Sequence, residues 1–239
     1  MGFSREVDWA SSNSETNGLG LDDSGTEIVF LGVDIFSIKS LPKEIIRSSD
    51  VWDTKLCFKP NSANLVSAQS GMGKSTLLHL LYGMRKDFSG ILSIDGKDSS
   101  TLSREDWINI RKTSISLLFQ DLRLFPHLTA LENINLIPVA NPNAPVVEEM
   151  ADQLGITAFL HQSVVTLSHG QRQRVALVRA LRKPFQLLLL DEPFSHLDEV
   201  NQSKASSLIK GLVQINGASL ILSTLGSVPE IPFDQTYSL

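Results

Sequence analysis

The stretch Ala68-Gln69-Ser70-Gly71-Met72-Gly73-Lys74-Ser75-Thr76 follows a short apolar run, Leu65-Val66, and opens onto the leucine-rich segment Leu77-Leu78-His79-Leu80-Leu81. A strand, a glycine loop and a helix in that order predict an α/β domain with a phosphate-binding loop. Holding a polyphosphate takes backbone N–H groups pointed inward, and residues without a Cβ let the chain approach closely enough. Gly71 and Gly73 suit that task. The helix predicted to begin near Lys74 adds its positive N-terminal end, Lys74 can reach the outer phosphates, and the Ser75 hydroxyl is placed to ligate a bridging magnesium ion. The pattern G-x-x-x-x-G-K-[ST] has Ala68 at its first glycine. One methyl group at the loop entrance is tolerable where the local φ is negative. An ordinary glycine turn between strand and helix would leave Gly73-Lys74-Ser75-Thr76 unexplained.

A second element supports the first. Gln186-Leu187-Leu188-Leu189-Leu190 is short for a helix and ends in Asp191-Glu192-Pro193. A continuous apolar run suits a central strand of a parallel sheet, buried on both faces, with its functional residues at the carboxyl end. Asp191 would then lie beside the magnesium, and Glu192 could polarise a water for in-line attack on a γ-phosphate. An acidic turn after a core strand is the alternative.

Between these elements lies Leu167-Ser168-His169-Gly170-Gln171-Arg172-Gln173-Arg174-Val175-Ala176. It resembles the L-S-G-G-Q signature of ATP-binding cassette (ABC) ATPases, with His169 in place of a glycine and Ser168, Gly170 and Gln171 retained. Ser168 is a good N-cap, the next segment is strongly helix-forming, and Arg182-Lys183-Pro184 make a stop. In that family such a helix points at the γ-phosphate of ATP bound by a second cassette, so Ser168, Gly170 and Gln171 are expected to complete a partner's site. Further pieces resemble the family in order. Ile115-Ser116-Leu117-Leu118-Phe119 is a predicted strand, and Gln120 at its end matches the family's glutamine that touches metal and attacking water. Ser195-His196-Leu197-Asp198 is similar to the family's S-A-L-D turn at the dimer interface. Gly90 to Lys97 predicts a strand and an Asp-Gly hairpin turn, like the antiparallel edge of these cassettes. The run from Phe119 through Pro126 to Ile134 is similar to the cassettes of lipoprotein-release, macrolide-export and cell-division systems. Leu124, Phe125 and Leu128 there suggest either a groove for a permease's cytoplasmic segment or a small satellite core.

The resemblance implies a P-loop NTPase parallel-sheet core with an antiparallel β edge and an inserted α-helical subdomain. It implies ATP and magnesium as cofactors, a second ATPase subunit in a homodimer or heterodimer, and a separate integral membrane permease. The chain would sit in the cytoplasm, peripheral on the inner face of the membrane. Residues 1–25, polar and acidic, are expected to be a disordered tail. Residues 26–239 form the nucleotide-binding domain, with the helical subdomain at roughly 121–183. Helices are predicted over Ser103 to Lys112, around Leu131 and over Val146 to Leu154, all assigned to that subdomain. Ile28 to Leu31 and Ile35 to Ile38 are the expected first strands.

The chain departs from the pattern in one consequential place. After the predicted strand Ser219 to Ser223, the family carries a switch histidine that hydrogen-bonds the γ-phosphate, and Leu225 stands here instead. No histidine follows His196. Losing one transition-state donor costs about 2.7 to 4 kcal/mol, so hydrolysis is expected to be slow or to depend on a partner. A regulatory ATP-binding module that hydrolyses poorly and controls assembly by occupancy is the alternative. Phe36, Trp52 and Phe58 are the aromatic candidates for stacking on adenine, none of them assigned.

Bulk properties narrow the classes. A chain of 239 residues with net charge -5 fits one α/β domain and argues against a general nucleic-acid binder. One cysteine, Cys57, permits no intrachain disulfide. No apolar run approaches the ~20 residues that cross a bilayer, and Met1 to Asp23 has no apolar segment of the secretory kind.

Overall fold

The protein is described by a computed structural model covering residues 31–38, 41–226 and 230–239, except the side chains of Leu31, Phe36, Ser37 and Arg47. The expected tail and Ile28 to Phe30 lie outside the described residues.

Two sheets organise the domain. The strands β1 (Leu31–Ile38), β2 (Leu56–Phe58), β4 (Phe88–Ile94) and β5 (Lys97–Asp98) form an antiparallel sheet in the order β2-β1-β4-β5. The turn joining β4 to β5 places Asp95 at φ 52° and Gly96 at φ 68°, the left-handed pair that a two-residue hairpin requires. The second sheet contains β3 (Ala63–Ser67), β6 (Ile115–Leu118), β7 (Leu187–Asp191), β8 (Ser219–Thr224) and β9 (Gln235–Ser238), in the order β6-β7-β8-β3-β9 and parallel throughout. Ile35 to Ile38, expected as a strand of its own, continues β1, with a shift of register against β4 between Ile35 and Ser37.

The apolar runs are explained by burial on both faces of this parallel sheet. Leu188, Leu190, Leu220 and Leu222 pack into one apolar cluster, while Leu187, Leu189 and Ile221 pack into the other. Successive side chains point to opposite faces, so a strand with a core on each side has no polar alternate positions. On one side lie α2 (Lys74–Leu81), α3 (Arg104–Thr113) and the antiparallel sheet; on the other lie α4 (Ala130–Asn135), α5 (Val147–Gln153), α6 (His169–Arg182) and α7 (Glu199–Ile215). The short helix α1 (Lys43–Arg47) precedes β2.

This arrangement corrects the assignment of Ser103 to Lys112. The helix is present, with a capping box between Ser103 and Asp106. Its buried residue, Trp107, joins the cluster of α2 and β1, not that of α4 and α5. Ile110 packs against the same cluster while Ile108 is exposed, so the seat of the helix is decided by where Trp107 and Ile110 pack.

Candidate functional site

The carboxyl ends of β3, β6, β7 and β8 converge, as open α/β sheets present their binding crevices. After β3 the chain passes Ala68, whose φ is not positive, and Gly71 and Gly73 take φ 83° and 101°. The condition under which Ala68 can replace glycine is therefore met. At Gly73 an added Cβ would be strained by its φ and would lie 2.9 Å from Leu41 Cδ1. Lys74 opens α2, and its Nζ donates to the carbonyls of Ala68 at 2.8 Å and Gln69 at 3.1 Å. The ammonium is held over the loop, 5% exposed, and lies 3.5 Å from Glu192 Oε1. Ser75 Oγ donates to Gln120 Oε1 at 3.3 Å, joining the loop to the end of β6. Gln69, Ser70 and Gly71 are exposed, whereas Met72, Gly73, Ser75 and Thr76 are half-buried.

Asp191 ends β7 almost fully buried. Its Oδ1 accepts from the Ser223 hydroxyl at 2.6 Å, and its Oδ2 is buried with no hydrogen-bond partner. Buried carboxylate oxygens are ordinarily satisfied by a donor, a water or a cation. Ser75, Gln120 and Asp191 offer only oxygen donors, the set that suits magnesium, and the orphaned Asp191 oxygen fits that ion. Glu192 adopts φ 51°, a left-handed conformation unusual for a side chain with a Cβ. Ser223, Gln173 and Ser195 hold it there. Its N–H donates to the Ser223 carbonyl at 3.2 Å, and its carbonyl accepts from Gln173 Nε2 at 2.9 Å and from Ser195 Oγ at 3.2 Å.

The start of α6 forms a second, more open face. The Ser168 hydroxyl oxygen accepts from the Gln171 N–H while Gln171 Oε1 accepts from the Ser168 N–H, a complete capping box. The bond to Ser168 Oγ uses an oxygen lone pair and leaves the hydroxyl proton to be donated. Gly170 is required by close approach, since a Cβ there would sit 2.7 Å from the His196 carbonyl oxygen. The Ser195 to Asp198 turn thus rests on the first turn of α6, and Asp198 caps α7 by accepting from the Asn201 N–H at 2.8 Å. The rings of His169 and His196 stack with centroids 3.8 Å apart. Burial, then the neighbouring His196 and Arg172, holds the His169 imidazole below its ordinary range.

One chain therefore brings together the loop from Ala68 to Thr76, Gln120, Asp191 and Glu192. It does not bring Ser168, Gly170 and Gln171 to them: among the described residues no hydrogen bond or ion pair joins those three to the loop. Leu225 follows β8 with its side chain 52% exposed. Trp52 and Phe58 are core residues, each 1% exposed, with Phe58 edge-to-face against Tyr237, so neither is a platform for a base. The Phe36 side chain lies outside the described residues. Leu122 and Leu124 pack against the core, whereas Phe125 is 57% and Val165 63% exposed. A groove of about 220 Å³ runs between Asp121, Leu124, Pro126, Val165, His169 and Arg172. Sequence reasoning did not single out Ser223 and Gln173. A serine at the carboxyl end of β8, next to the strand that ends in Asp191, was the available signal for the first; Gln173, buried on the inward face of α6, offered none.

Fold and site together define a phosphate-loop nucleotide-binding α/β domain. The sequence profile of the ABC transporter family matches residues 52–195, and the chain belongs to that family. The thiamine import ATP-binding protein ThiQ of Vibrio vulnificus (strain YJ016) is 41% identical over 160 residues, 65% of this chain and 66% of that protein. The protein of the same name from Escherichia coli O157:H7 is 40% identical over 158 residues, covering 64% of this chain and 66% of the relative. The chain thus spans just under two thirds of the length of these relatives, which are named for import rather than for release or export. Among solved structures, the dimeric post-hydrolysis state of the ATP-binding cassette MJ0796 bound to ADP and Pi matches with a TM-score of 0.68 at 26% identity, over 82% of this chain and 87% of that one. Among the described residues no helix is long and apolar enough to cross a membrane.

Proposed function

We propose that this chain is the ATP-binding and ATP-hydrolysing subunit of a membrane transporter, closing as a dimer over two MgATP and driving a separate permease from the inner face of the membrane. The observation that carries the reading is Lys74 Nζ within 3.5 Å of Glu192, at the point where the glycine loop meets the end of β7. In this reading Lys74 exchanges the Ala68 and Gln69 carbonyls for the outer phosphates, and the backbone from Gln69 to Thr76 surrounds them. Ser75, Gln120 and Asp191 would hold the magnesium, which when bound neutralises charge shared by the β- and γ-phosphate oxygens. Glu192 orients the attacking water and accepts its proton. Ser168 and the amide end of α6 face the terminal phosphate held by a second copy or a related cassette. The exposure of Ser168 and the lack, among the described residues, of any hydrogen bond from Ser168, Gly170 or Gln171 to the chain's own loop support that division, as does the dimeric state named for the matching MJ0796 structure.

Transport work is supported by the relatives' naming as ATP-binding proteins of thiamine import. The groove beside exposed Phe125 and Val165 would take the permease's cytoplasmic segment. Leucine at position 225 supplies no donor, so hydrolysis is slow. Steady-state ATP turnover of the purified chain tests the reading. Lys74→Ala and Glu192→Gln should each abolish turnover, and Leu225→His should raise it about tenfold or more. Turnover that survives Lys74→Ala would refute the assignment.

A further inference from the structure

The flanks of the phosphate loop differ in what they offer a ligand. The loop leaves β3, whose neighbours in the parallel sheet are β8 and β9. Gln120, Asp191 and Glu192 lie on the β8 side, at the ends of β6 and β7. A triphosphate whose outer end meets Lys74, Gln120 and Glu192 therefore turns its nucleoside end toward the β9 side. The segment from Leu41 to Asp53 occupies that flank. Asp50 ties it to β9: its N–H donates to the Ser238 carbonyl and its Oδ2 accepts from the Ser238 N–H, both at 2.8 Å. The Asp53 N–H ties it to β1 through the Ile35 carbonyl at 2.7 Å, and Ser49 Oγ accepts from the N–H groups of Val51 and Trp52 at 3.0 and 3.2 Å. Anchored in this way, the segment meets the loop at Gly73. The point that a Cβ there would occupy lies 2.9 Å from Leu41 Cδ1 and 3.6 Å from Trp52 Cζ2. Trp52 is 1% exposed, whereas Leu41 packs against the same cluster and stays half-buried, with part of its apolar surface open.

We infer that Leu41 carries the base of the bound nucleotide: the flat face of the base rests on its isobutyl group, with Trp52 packed behind, and no aromatic ring takes part. This deepens the proposed function by naming the base subsite, and it rests on that reading. Covering the face of a base with an aliphatic group removes apolar surface from water without touching the atoms on the edge of the base. Strong discrimination needs hydrogen bonds to such atoms, and a hydrophobic surface alone supplies little of it. The subsite therefore accepts nucleoside triphosphates as a class, holding ATP and GTP about equally, and a ring introduced at position 41 would strengthen it.

Calorimetric titration of the full chain with MgATP, MgGTP and magnesium tripolyphosphate tests the inference, because tripolyphosphate fills the loop and has no base. The native chain should bind MgATP and MgGTP within about threefold of each other. Leu41→Ala should weaken both about fivefold or more while changing tripolyphosphate affinity less than about twofold, which a mere disturbance of the loop at Gly73 would not do. Leu41→Tyr should tighten MgATP about threefold or more through stacking, again with tripolyphosphate unmoved. Phe36→Ala, which removes an aromatic candidate on β1, should leave all three affinities unchanged. Unchanged MgATP affinity in both Leu41 variants, an equal loss for tripolyphosphate in Leu41→Ala, a large native preference for one base, or a loss of MgATP affinity in Phe36→Ala would each overturn the inference alone. Tripolyphosphate that binds Lys74→Ala as tightly as the native chain would instead refute the phosphate-loop reading, and the inference would fall with it.

Discussion

Glu192 combines a left-handed backbone with a buried carboxylate facing Lys74, and both cost free energy in isolation, about 1 to 3 kcal/mol for the backbone. Ser223 and Gln173 hold the conformation from opposite sides. Ser223 also donates to Asp191 Oδ1 at 2.6 Å, aiming Oδ2 where no protein donor reaches it. Removing that hydroxyl leaves a second carboxylate oxygen unsatisfied, a loss of about 1.5 to 3 kcal/mol for a hydrogen bond to a charged group. Ser223→Ala should therefore weaken MgATP binding about tenfold or more, with a smaller change for ATP measured in chelator; equilibrium fluorescence titration reads both. Equal affinities in the variant and the native chain would show that Asp191 is held by other means. The sequence named Lys74, Ser75, Gln120, Asp191 and Glu192, because each is fixed by its offset from a glycine or a strand end. It did not name Ser223, Gln173 or the His169–His196 contact, which join distant elements in space and leave no periodic trace.

Among the elements, α6 does most to connect the parts. Its start carries the capping box, its inward face buries Val175, Val178 and Leu181, and Arg179 donates to the carbonyls of Leu122, at 2.6 Å, and Arg123 just beyond Gln120. Those two residues are left-handed, at φ 60° and 43°, so Arg179 secures the bend that leads out of β6 into the helical region. At its far end Lys183 is half-buried, donating to the Ile115 carbonyl at 2.7 Å and to the Tyr82 hydroxyl at 3.3 Å. Burial, with Arg111 nearby, lowers its pKa from 10.5 to about 8. The folded chain thus binds fewer protons than the unfolded chain between about pH 8 and 10.5, and this group's contribution to stability rises with pH across that window. Urea unfolding at several pH values should show that rise in the native chain relative to Lys183→Met. Parallel pH dependences for the two would contradict it. The strands and α6 were legible because runs of leucine and a serine cap are local signals. The seat of α3 was not, since Trp107 and Ile110 decide it by where they pack.

At the scale of the whole molecule, the chain separates the two groups of residues that the proposed function assigns to one phosphate site. The loop, Gln120, Asp191 and Glu192 meet in one crevice, while exposed Ser168 and half-buried Gly170 and Gln171 form the start of α6 and, among the described residues, make no hydrogen bond to the loop. In the proposed reading a nucleotide clasped by both groups requires a second copy, and that reading depends on this geometry more than on any single residue. The most direct measurement is the mass in solution of Glu192→Gln with and without MgATP, by light scattering or small-angle scattering on the full chain. The account predicts a monomer that becomes a dimer when MgATP is added, and no such change in Glu192→Gln combined with Lys74→Ala. A monomer that binds MgATP at Lys74 and stays single would contradict it.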